Sequence, residues 1–120
     1  MSKLLIIGAG GHGYVVREVA QDIGRYEKID FADDSSSIAV GTLSQLRELH
    51  SEYDSAFVSI GNNDLRSRLF DELKKIGYNI PTLIHPSAYV SKSCVLKVGC
   101  LVEPKAIINA NSIVGEGCII

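Results

Sequence analysis

A glycine-rich turn near the N-terminus is the first segment whose residue types and spacing point to chemistry. Gly8, Gly10 and Gly13 follow an aliphatic run at residues 3–7 and precede apolar residues at helical spacing. Glycines let the backbone approach an anion closely, and a helix N-terminus offers free N–H groups and partial positive charge. The strand-glycine-helix order therefore predicts a phosphate site. Its residues are Gly8, Gly10, Gly11, His12 and Gly13.

Polar side chains follow two further predicted strands. Asp33 and Asp34 end the second strand, where a carboxylate could accept hydrogen bonds from a ribose diol or a base N–H. A second group follows the third strand and comprises Gly61, Asn62, Asn63 and Arg66. The amides of this group could hold a nucleobase and its guanidinium a phosphate. Because the carboxyl ends of parallel strands share one sheet edge, we expect both groups beside the glycine turn.

A structural interpretation of each motif stays open. The glycine segment could be a tight packing turn without a ligand, and His12 a satisfied polar side chain. Aspartate before a serine run is common in turns. Asn62 or Asn63 could cap a helix, leaving Arg66 in solvent. For His85, which precedes a proline, we expect packing rather than chemistry.

In the first eighty residues, short apolar runs alternate with segments whose apolar residues have helical spacing. These two patterns predict the strands and helices that position the polar groups. Short apolar runs predict strands at residues 3–7, 28–32 and 56–60. Apolar residues at helical spacing predict helices at residues 14–23, 43–50 and 64–76. Strands that alternate with helices predict an α/β fold with a small parallel, Rossmann-like sheet.

From residue 84 onward the chain repeats every six residues. The aliphatic positions are Ile84, Val90, Leu96, Val102, Ile108, Val114 and Ile120. The small residues four positions later are Ala88, Cys94, Cys100, Ala106, Ser112 and Cys118. In extended chain both sets point to the same side, whereas a helix would scatter them. This period is typical of a hexapeptide parallel β-helix. We therefore expect two domains, at residues 1–83 and 84–120, with residues 82–84 forming either a fourth sheet strand or the entry to the repeats.

Composition narrows the classes of partner. A net charge of −2 and an isoelectric point near 5.9 give no basic surface for nucleic acid or for an anionic membrane. No apolar run is long enough to span a bilayer, and we expect a cytoplasmic protein. The three cysteines all occupy the small position of the hexad, without metal-ligand spacing, so we expect no metal site.

The order of motifs resembles the sugar O- and N-acetyltransferases of the bacillosamine and sialic-acid acetyltransferase type. The resemblance rests on the glycine segment, Asp33-Asp34, residues 60–66, and residues 83–88 leading into the hexads. It implies a Rossmann-like domain that binds a nucleotide-activated amino sugar or sialic acid in surface-glycan biosynthesis. From the glycine turn and Asp33-Asp34 we expect a uridine or cytidine nucleotide sugar. It also implies a left-handed β-helix that forms a homotrimer and binds acetyl-CoA between subunits.

The resemblance further implies a histidine general base, assisted by an acid, on the β-helix. The hexads present contain no such histidine, so we expect no catalytic residue within this chain and the base beyond Ile120. On this reading the chain is a fragment that holds the nucleotide-sugar half of the site and is inactive alone. Two other functions stay open: a non-catalytic nucleotide-binding and oligomerisation protein, and an NAD-dependent oxidoreductase.

Overall fold

A three-stranded parallel sheet forms the centre of the N-terminal part of the protein. The computed structural model describes residues 2–120. The strands are β1 (Ser2–Ile7), β2 (Tyr26–Ala32) and β3 (Ser55–Val58), in the order β2-β1-β3. The central strand is fully buried at Leu4, Leu5, Ile6 and Ile7. An unbroken aliphatic run suits this place, because helices cover both faces of a parallel sheet.

Three helices connect the strands. The helices are α1 (Gly11–Ile23), α2 (Leu46–Leu49) and α3 (Asn63–Ile76). Helix α1 begins three residues earlier than expected, so the end of the glycine motif forms its first turn. The helix expected at residues 43–50 is instead a 3-10 turn at Leu43–Gln45 followed by the single turn of α2.

The helices divide between the two faces of the sheet. On one face α1 buries Val16, Val19 and Ala20 against Leu4, Ile6, Phe31 and Phe57. On the other face α2 and α3 bury Leu46, Leu69 and Leu73 against Leu5, Ile7, Ala56 and Val58. Each Val, Leu, Ile or Phe side chain among these contributes about 1.5–3 kcal/mol when it leaves water. The expected α/β class with a small parallel sheet is confirmed.

The hexads form six strands of two residues each. They are β4 (Leu83–Ile84), β5 (Tyr89–Val90), β6 (Val95–Leu96), β7 (Leu101–Val102), β8 (Ile107–Ile108) and β9 (Ile113–Val114). Each of the first three pairs in parallel with the strand eighteen residues later, as Leu83 does with Leu101. Strand β4 therefore belongs to the hexad region, residues 83–120, and not to the three-stranded sheet.

The aliphatic and small positions of the hexads share one core, as the period of six predicts. Its buried members are Cys100, Val102, Ile108 and Val114, with Ile84, Ala88, Val90, Cys94, Leu96, Ala106 and Cys118 packed against them. The neighbouring outward positions differ in their surroundings. Leu83 and Leu101 are fully buried in the core that contains α1. Those left exposed include Tyr89, Val95, Ile107 and Ile113.

The chain turns between consecutive strands of the hexad region, and we call these turns its corners. From Gly99 onward, every sixth residue lies at a corner and has left-handed backbone. These residues are Gly99 (φ 78°), Lys105 (φ 61°), Asn111 (φ 64°) and Gly117 (φ 70°). The backbone N–H of Lys105 donates to the Ser87 hydroxyl at 2.9 Å, and that of Asn111 donates to the Ser93 hydroxyl at 3.0 Å. A hydroxyl eighteen residues earlier thus satisfies the donor of a corner residue.

Close contacts join the hexad region to the N-terminal part. A Cβ atom on Gly99 would lie 2.4 Å from the Phe70 ring, so only glycine allows this approach of the corner to α3. Lys74 of α3 forms an ion pair with Glu116 at 3.3 Å. Among the helices of residues 2–120, none is long and apolar enough to cross a membrane.

Candidate functional site

Two of the glycines in the turn are required by packing. Gly8 has a φ of +106°, and a Cβ atom there would lie 2.9 Å from Cγ1 of Ile60. A Cβ atom on Gly13 would lie 2.2 Å from the carbonyl oxygen of Gly8. These two positions bring α1 close to the end of β1 and to the segment after β3, so the structural interpretation accounts for both.

Gly10 and Gly11 have no such packing reason. A Cβ atom at either position would meet no atom of residues 2–120 within 4 Å. Gly10 is the N-cap of α1 with extended backbone, which any residue can adopt, and it provides no side-chain cap. The backbone N–H groups of Gly11, His12 and Gly13 have no acceptor within residues 2–120. An open space therefore faces free donors at the positive end of a helix dipole.

Asp33 holds this turn in place. Its Oδ2 accepts the Ala9 N–H at 2.8 Å, while Oδ1 accepts the N–H groups of Ser35 at 2.9 Å and Ser36 at 3.0 Å. The Ala9 hydrogen bond, followed by that of Ser35, lowers the pKa of the Asp33 carboxyl. The carboxylate thus ties the end of β2 to the glycine turn across 24 residues.

Ser59 is a contributor that the sequence reading missed. This buried serine follows β3, and its hydroxyl lies 2.8 Å from the carbonyl oxygen of Gly8 and 3.0 Å from that of Ile7. The Ser59 hydroxyl thus holds carbonyl groups of the turn, whereas Asp33 holds the N–H group of Ala9. The one sequence signal is a serine within an otherwise apolar strand.

His12 lies in the first turn of α1 with a buried polar atom. Its Nε2 is shielded from solvent and has no hydrogen-bond partner within residues 2–120. Burying a polar atom without a partner costs about 1–3 kcal/mol. The expectation of a satisfied polar residue therefore does not fit, and the atom is available to a ligand group.

The segment after β3 supplies the second group of predicted residues. Asn62 is the N-cap of α3, and its side chain accepts the Leu65 N–H at 2.9 Å. Asn63 Oδ1 accepts a hydrogen bond from Nη2 of Arg66 at 3.2 Å. The capping interpretation holds for Asn62, whose amide N–H₂ remains free, and Arg66 is half-buried rather than fully in solvent.

Arg66 and Asn63 line a cavity of about 190 Å³ between α3 and the corner of the hexad region at Gly117. Phe70, Asp71 and Glu116 contribute to its walls. No carboxylate of residues 2–120 pairs with Arg66, since Glu116 pairs with Lys74 instead. The guanidinium thus stands at the junction between the two parts of the chain.

The other predicted residues have simpler surroundings. Asp34 is exposed, and its Oδ1 accepts the Leu43 N–H at 2.9 Å. Gly61 is exposed and faces open space. His85, expected only to pack, forms a polar link instead: Nε2 lies 2.8 Å from Asp22 of α1 and Nδ1 accepts the Ser87 N–H at 3.0 Å.

The sheet topology brings the predicted groups to one edge. The connection after β1 runs to β2 on one side, and the connection after β2 returns to β3 on the other. In open α/β sheets ligands bind where the strand order reverses in this way, at the carboxyl ends of the strands. The contacts of Gly8 with Ser59 and Ile60 place the glycine turn against the segment after β3 at this point.

Solved structures that are similar to this chain include two acetyltransferases. The acetyltransferase domain of PglB from Neisseria gonorrhoeae FA1090, in complex with acetyl coenzyme A, is 38% identical, with a TM-score of 0.93 over 99% of this chain and 61% of that one. A mutant perosamine N-acetyltransferase from Caulobacter crescentus, in complex with CoA and GDP-perosamine, is 35% identical, with a TM-score of 0.89 over 100% of this chain and 60% of that one.

Sequence comparison agrees. The UDP-N-acetylbacillosamine N-acetyltransferase of Bacillus subtilis (strain 168) is 33% identical in an alignment 112 residues long, and the alignment covers 85% of this chain and 51% of that relative. The chain thus spans about half the length of this curated relative. The family model described as PglD N-terminal domain matches residues 3–73, more than half of the chain. The chain therefore belongs to the PglD N-terminal domain family.

Proposed function

We propose that this chain provides the nucleotide-sugar-binding part of an acetyl-CoA-dependent acetyltransferase that acts on a nucleotide-activated amino sugar. The observation that carries the proposal is the uncapped N-terminus of α1, where free N–H groups face the open space beside Gly10 and Gly11. Its support is the combination of relatives that bind or act on UDP- and GDP-linked amino sugars.

In this proposal the glycine turn binds the diphosphate. Negative oxygens accept the N–H groups of Gly11, His12 and Gly13, and the helix dipole stabilises the charge. Gly10 leaves space for the phosphate, while Gly8 shapes the turn. The His12 Nε2 atom gains the partner that it lacks in the free protein.

The remaining predicted residues surround the rest of the nucleotide. The free carboxylate oxygen of Asp34 accepts a hydrogen bond from the ribose or base, whereas Asp33 acts mainly by holding the turn. Gly61 keeps the crevice open, and Asn62 offers the amide N–H₂ that capping leaves unused. Arg66, positioned by Asn63, contributes positive charge beside the second phosphate or the sugar.

We further propose that residues 84–120 are the first coils of a left-handed parallel β-helix, and that residues 1–83 form the separate Rossmann-like domain. The pairing offset of eighteen residues, three hexads to a coil, supports this. The exposed apolar residues Tyr89, Val95, Ile107 and Ile113 would be covered in a homotrimer.

The acetyl-transfer chemistry is proposed to use residues outside this chain. His85 is the only histidine in residues 84–120, and both its ring nitrogens already have partners. A general base needs a free ring nitrogen within reach of the amine that it deprotonates. The histidine base and most of the acetyl-CoA site are therefore assigned to further coils, and cytoplasmic nucleotide sugars are the substrate pool.

The binding half of the proposal can be tested by titration calorimetry with UDP- and GDP-linked sugars and with NAD. We expect a nucleotide sugar to bind more tightly than NAD and Gly10→Val to abolish binding without unfolding the protein. Gly115→Val is the matched control, because a Cβ there also meets no protein atom and the position is away from the turn. Tighter binding of NAD, or unchanged affinity in Gly10→Val, would contradict the proposal.

The catalytic half is tested by acetyl transfer from acetyl-CoA to UDP- and GDP-linked amino sugars. We compare the 120-residue chain with a form extended by about four coils. Four coils exceed the roughly three repeat units that a stable solenoid needs. We expect turnover only in the extended form. Turnover by the shorter chain, or no turnover by a folded trimeric extended form, would contradict it.

A further inference from the structure

Arg17 is a cation beside the glycine turn that no carboxylate of residues 2–120 neutralises. Its guanidinium carbon lies 4.7 Å from the centre of the Tyr14 ring and 5.3 Å from the centre of the Phe31 ring. No carboxylate within residues 2–120 lies at ion-pair distance from it, and its N–H groups donate to no protein acceptor. Since none of these nitrogens is a buried unsatisfied atom, the donors remain open to solvent.

The two rings place this cation close to the proposed ligand. Arg17 lies one turn after Gly13 on the same face of α1, and helical side chains lean back toward the helix N-terminus. A Cβ on Gly13 would lie 3.2 Å from Cε1 of Phe31, so the ring that Arg17 approaches touches the last glycine of the turn. Phe31 also lies on β2 three residues before Asp34, which the proposed function places beside the ribose or the base.

The surroundings suit a flat, partly apolar group. Tyr14 is 41% exposed although it packs edge-on against Phe31, with 5.6 Å between ring centres. Val40, which is 46% exposed, is joined to Phe31 by a backbone hydrogen bond of 2.9 Å. An exposed aromatic ring beside a guanidinium offers a stacking surface together with several N–H donors in one plane.

We infer that Arg17, supported by Tyr14 and Phe31, binds the nucleobase of the sugar nucleotide and selects uracil or guanine over cytosine or adenine. Uracil O4 and guanine O6 with N7 present acceptors to a guanidinium, whereas cytosine N4 and adenine N6 present amino donors at the same edge. Two sets of donors facing each other are unfavourable. The inference rests on the proposed function, because it concerns the nucleotide of that site.

The test is titration calorimetry of the 120-residue chain with UDP, GDP, CDP and ADP. We expect UDP or GDP to bind about tenfold more tightly than CDP and ADP, in line with the discrimination of one good arginine-base pair. Arg17→Met keeps a long apolar side chain on Tyr14 but removes the donors. It should bring the affinities for the four nucleotides within about twofold of one another by weakening the favoured ones.

Two further variants separate base recognition from charge. Arg68→Met removes an exposed arginine of α3 that makes no ion pair or side-chain hydrogen bond with any described residue, and it should leave the order of affinities unchanged. Arg17→Lys keeps the charge without the planar pair of donors and should also lose most of the discrimination. Full discrimination in Arg17→Lys would overturn the inference.

Other results would also overturn it. Equal affinities of the wild-type protein for the four nucleotides would show that the base is not read, and an equal loss for all four in Arg17→Met would show a phosphate contact instead. These outcomes differ from failure of the proposed function, in which no nucleotide binds and Gly10→Val changes nothing. That last result would remove both proposals.

Discussion

The two longer helices, α1 and α3, begin at the same edge of the sheet but differ in whether their first backbone N–H groups have acceptors. Helix α3 is capped by its own chain, because the Asn62 side chain accepts the Leu65 N–H. Helix α1 begins at glycines without a side-chain cap, although an aspartate and a serine from distant segments fix the turn that precedes it. The turn before α1 is thus fixed by hydrogen bonds, while the N–H groups of Gly11, His12 and Gly13 have no acceptor within residues 2–120. Free N–H groups at a helix N-terminus suit an anion.

The largest effect is expected from Gly13→Ala, which tests whether the turn before α1 is tightly packed. The new Cβ would lie 2.2 Å from a backbone oxygen, so the turn must open, and the free energy of unfolding should fall by about 3 kcal/mol or more. Urea denaturation measures this. Gly11→Ala, in the same turn but facing open space, is the control and should stabilise the protein by up to about 1 kcal/mol. Equal effects of the two substitutions would remove the distinction between packing and open glycines.

Asp33→Asn tests the anchor of the turn. It replaces one acceptor oxygen by an N–H₂ group, and we expect a loss of about 1–3 kcal/mol in the free energy of unfolding at neutral pH. Because the pKa of Asp33 is lowered in the folded state, its contribution is complete above the unfolded value of about 4 and is lost as the pH falls through the folded pKa. Denaturation between pH 2 and pH 6 should therefore show a smaller acid destabilisation in Asp33→Asn than in the wild type. An identical pH profile would contradict the anchoring role.

Asn62→Ala removes the cap of α3, and the free energy of unfolding should fall by about 1 kcal/mol because the Leu65 N–H loses its acceptor. Asn63→Ala is the neighbouring control. Its side chain accepts only from Arg66 at an exposed position, so a change within about 0.5 kcal/mol is expected. A larger effect of Asn63→Ala on thermal or urea unfolding would show that the cap is assigned to the wrong residue.

Gly10→Asp is the substitution that would make α1 resemble α3. The backbone at Gly10 is extended and compatible with an aspartate cap, so stability should rise by a few tenths of a kcal/mol. The same carboxylate would occupy and repel the proposed phosphate, and titration should show at least tenfold weaker nucleotide binding. Retained affinity in a well-folded Gly10→Asp protein would indicate that the helix N-terminus does not bind the anion.

Local patterns predicted much of this fold. Three elements lie where the sequence predicts them: the strand before Gly8, the strand before Ser59 and helix α3. Each has a single hydrophobic period and is bounded by residues that typically end a strand or helix. The start of α1 was misjudged since glycines seldom favour a helix, and here tertiary packing at Gly13 overrides that preference. At residues 43–50 the predicted helical spacing is present, but the first turn, Leu43–Gln45, is a 3-10 turn and only Leu46–Leu49 is α-helical.

The site was less predictable than the fold, because its decisive contacts are long-range. The sequence predicts that Asp33 and Asn62 lie at the site, but not which groups they contact. The hydrogen bond from Ala9 to Asp33 spans 24 residues, and that from Ser59 to Gly8 spans 51. A single sequence contains no signal for such pairs. Whether the predicted residues contact a nucleotide stays a prediction that the titrations above address.

The corner positions of the hexad region also have a consequence for protein engineering. Gly99 packs against Phe70 of α3 and cannot carry a side chain, and Gly117 lines the cavity beside α3, whereas Lys105 and Asn111 are exposed and each donates its backbone N–H to a serine hydroxyl eighteen residues earlier. A loop or a reporter tag inserted after Lys105 or Asn111 would project into solvent and leave the strand register on both sides intact. The side of the hexad region that contains Gly99 and Gly117 is therefore occupied by the N-terminal part, whereas the side that contains Lys105 and Asn111 can carry added segments.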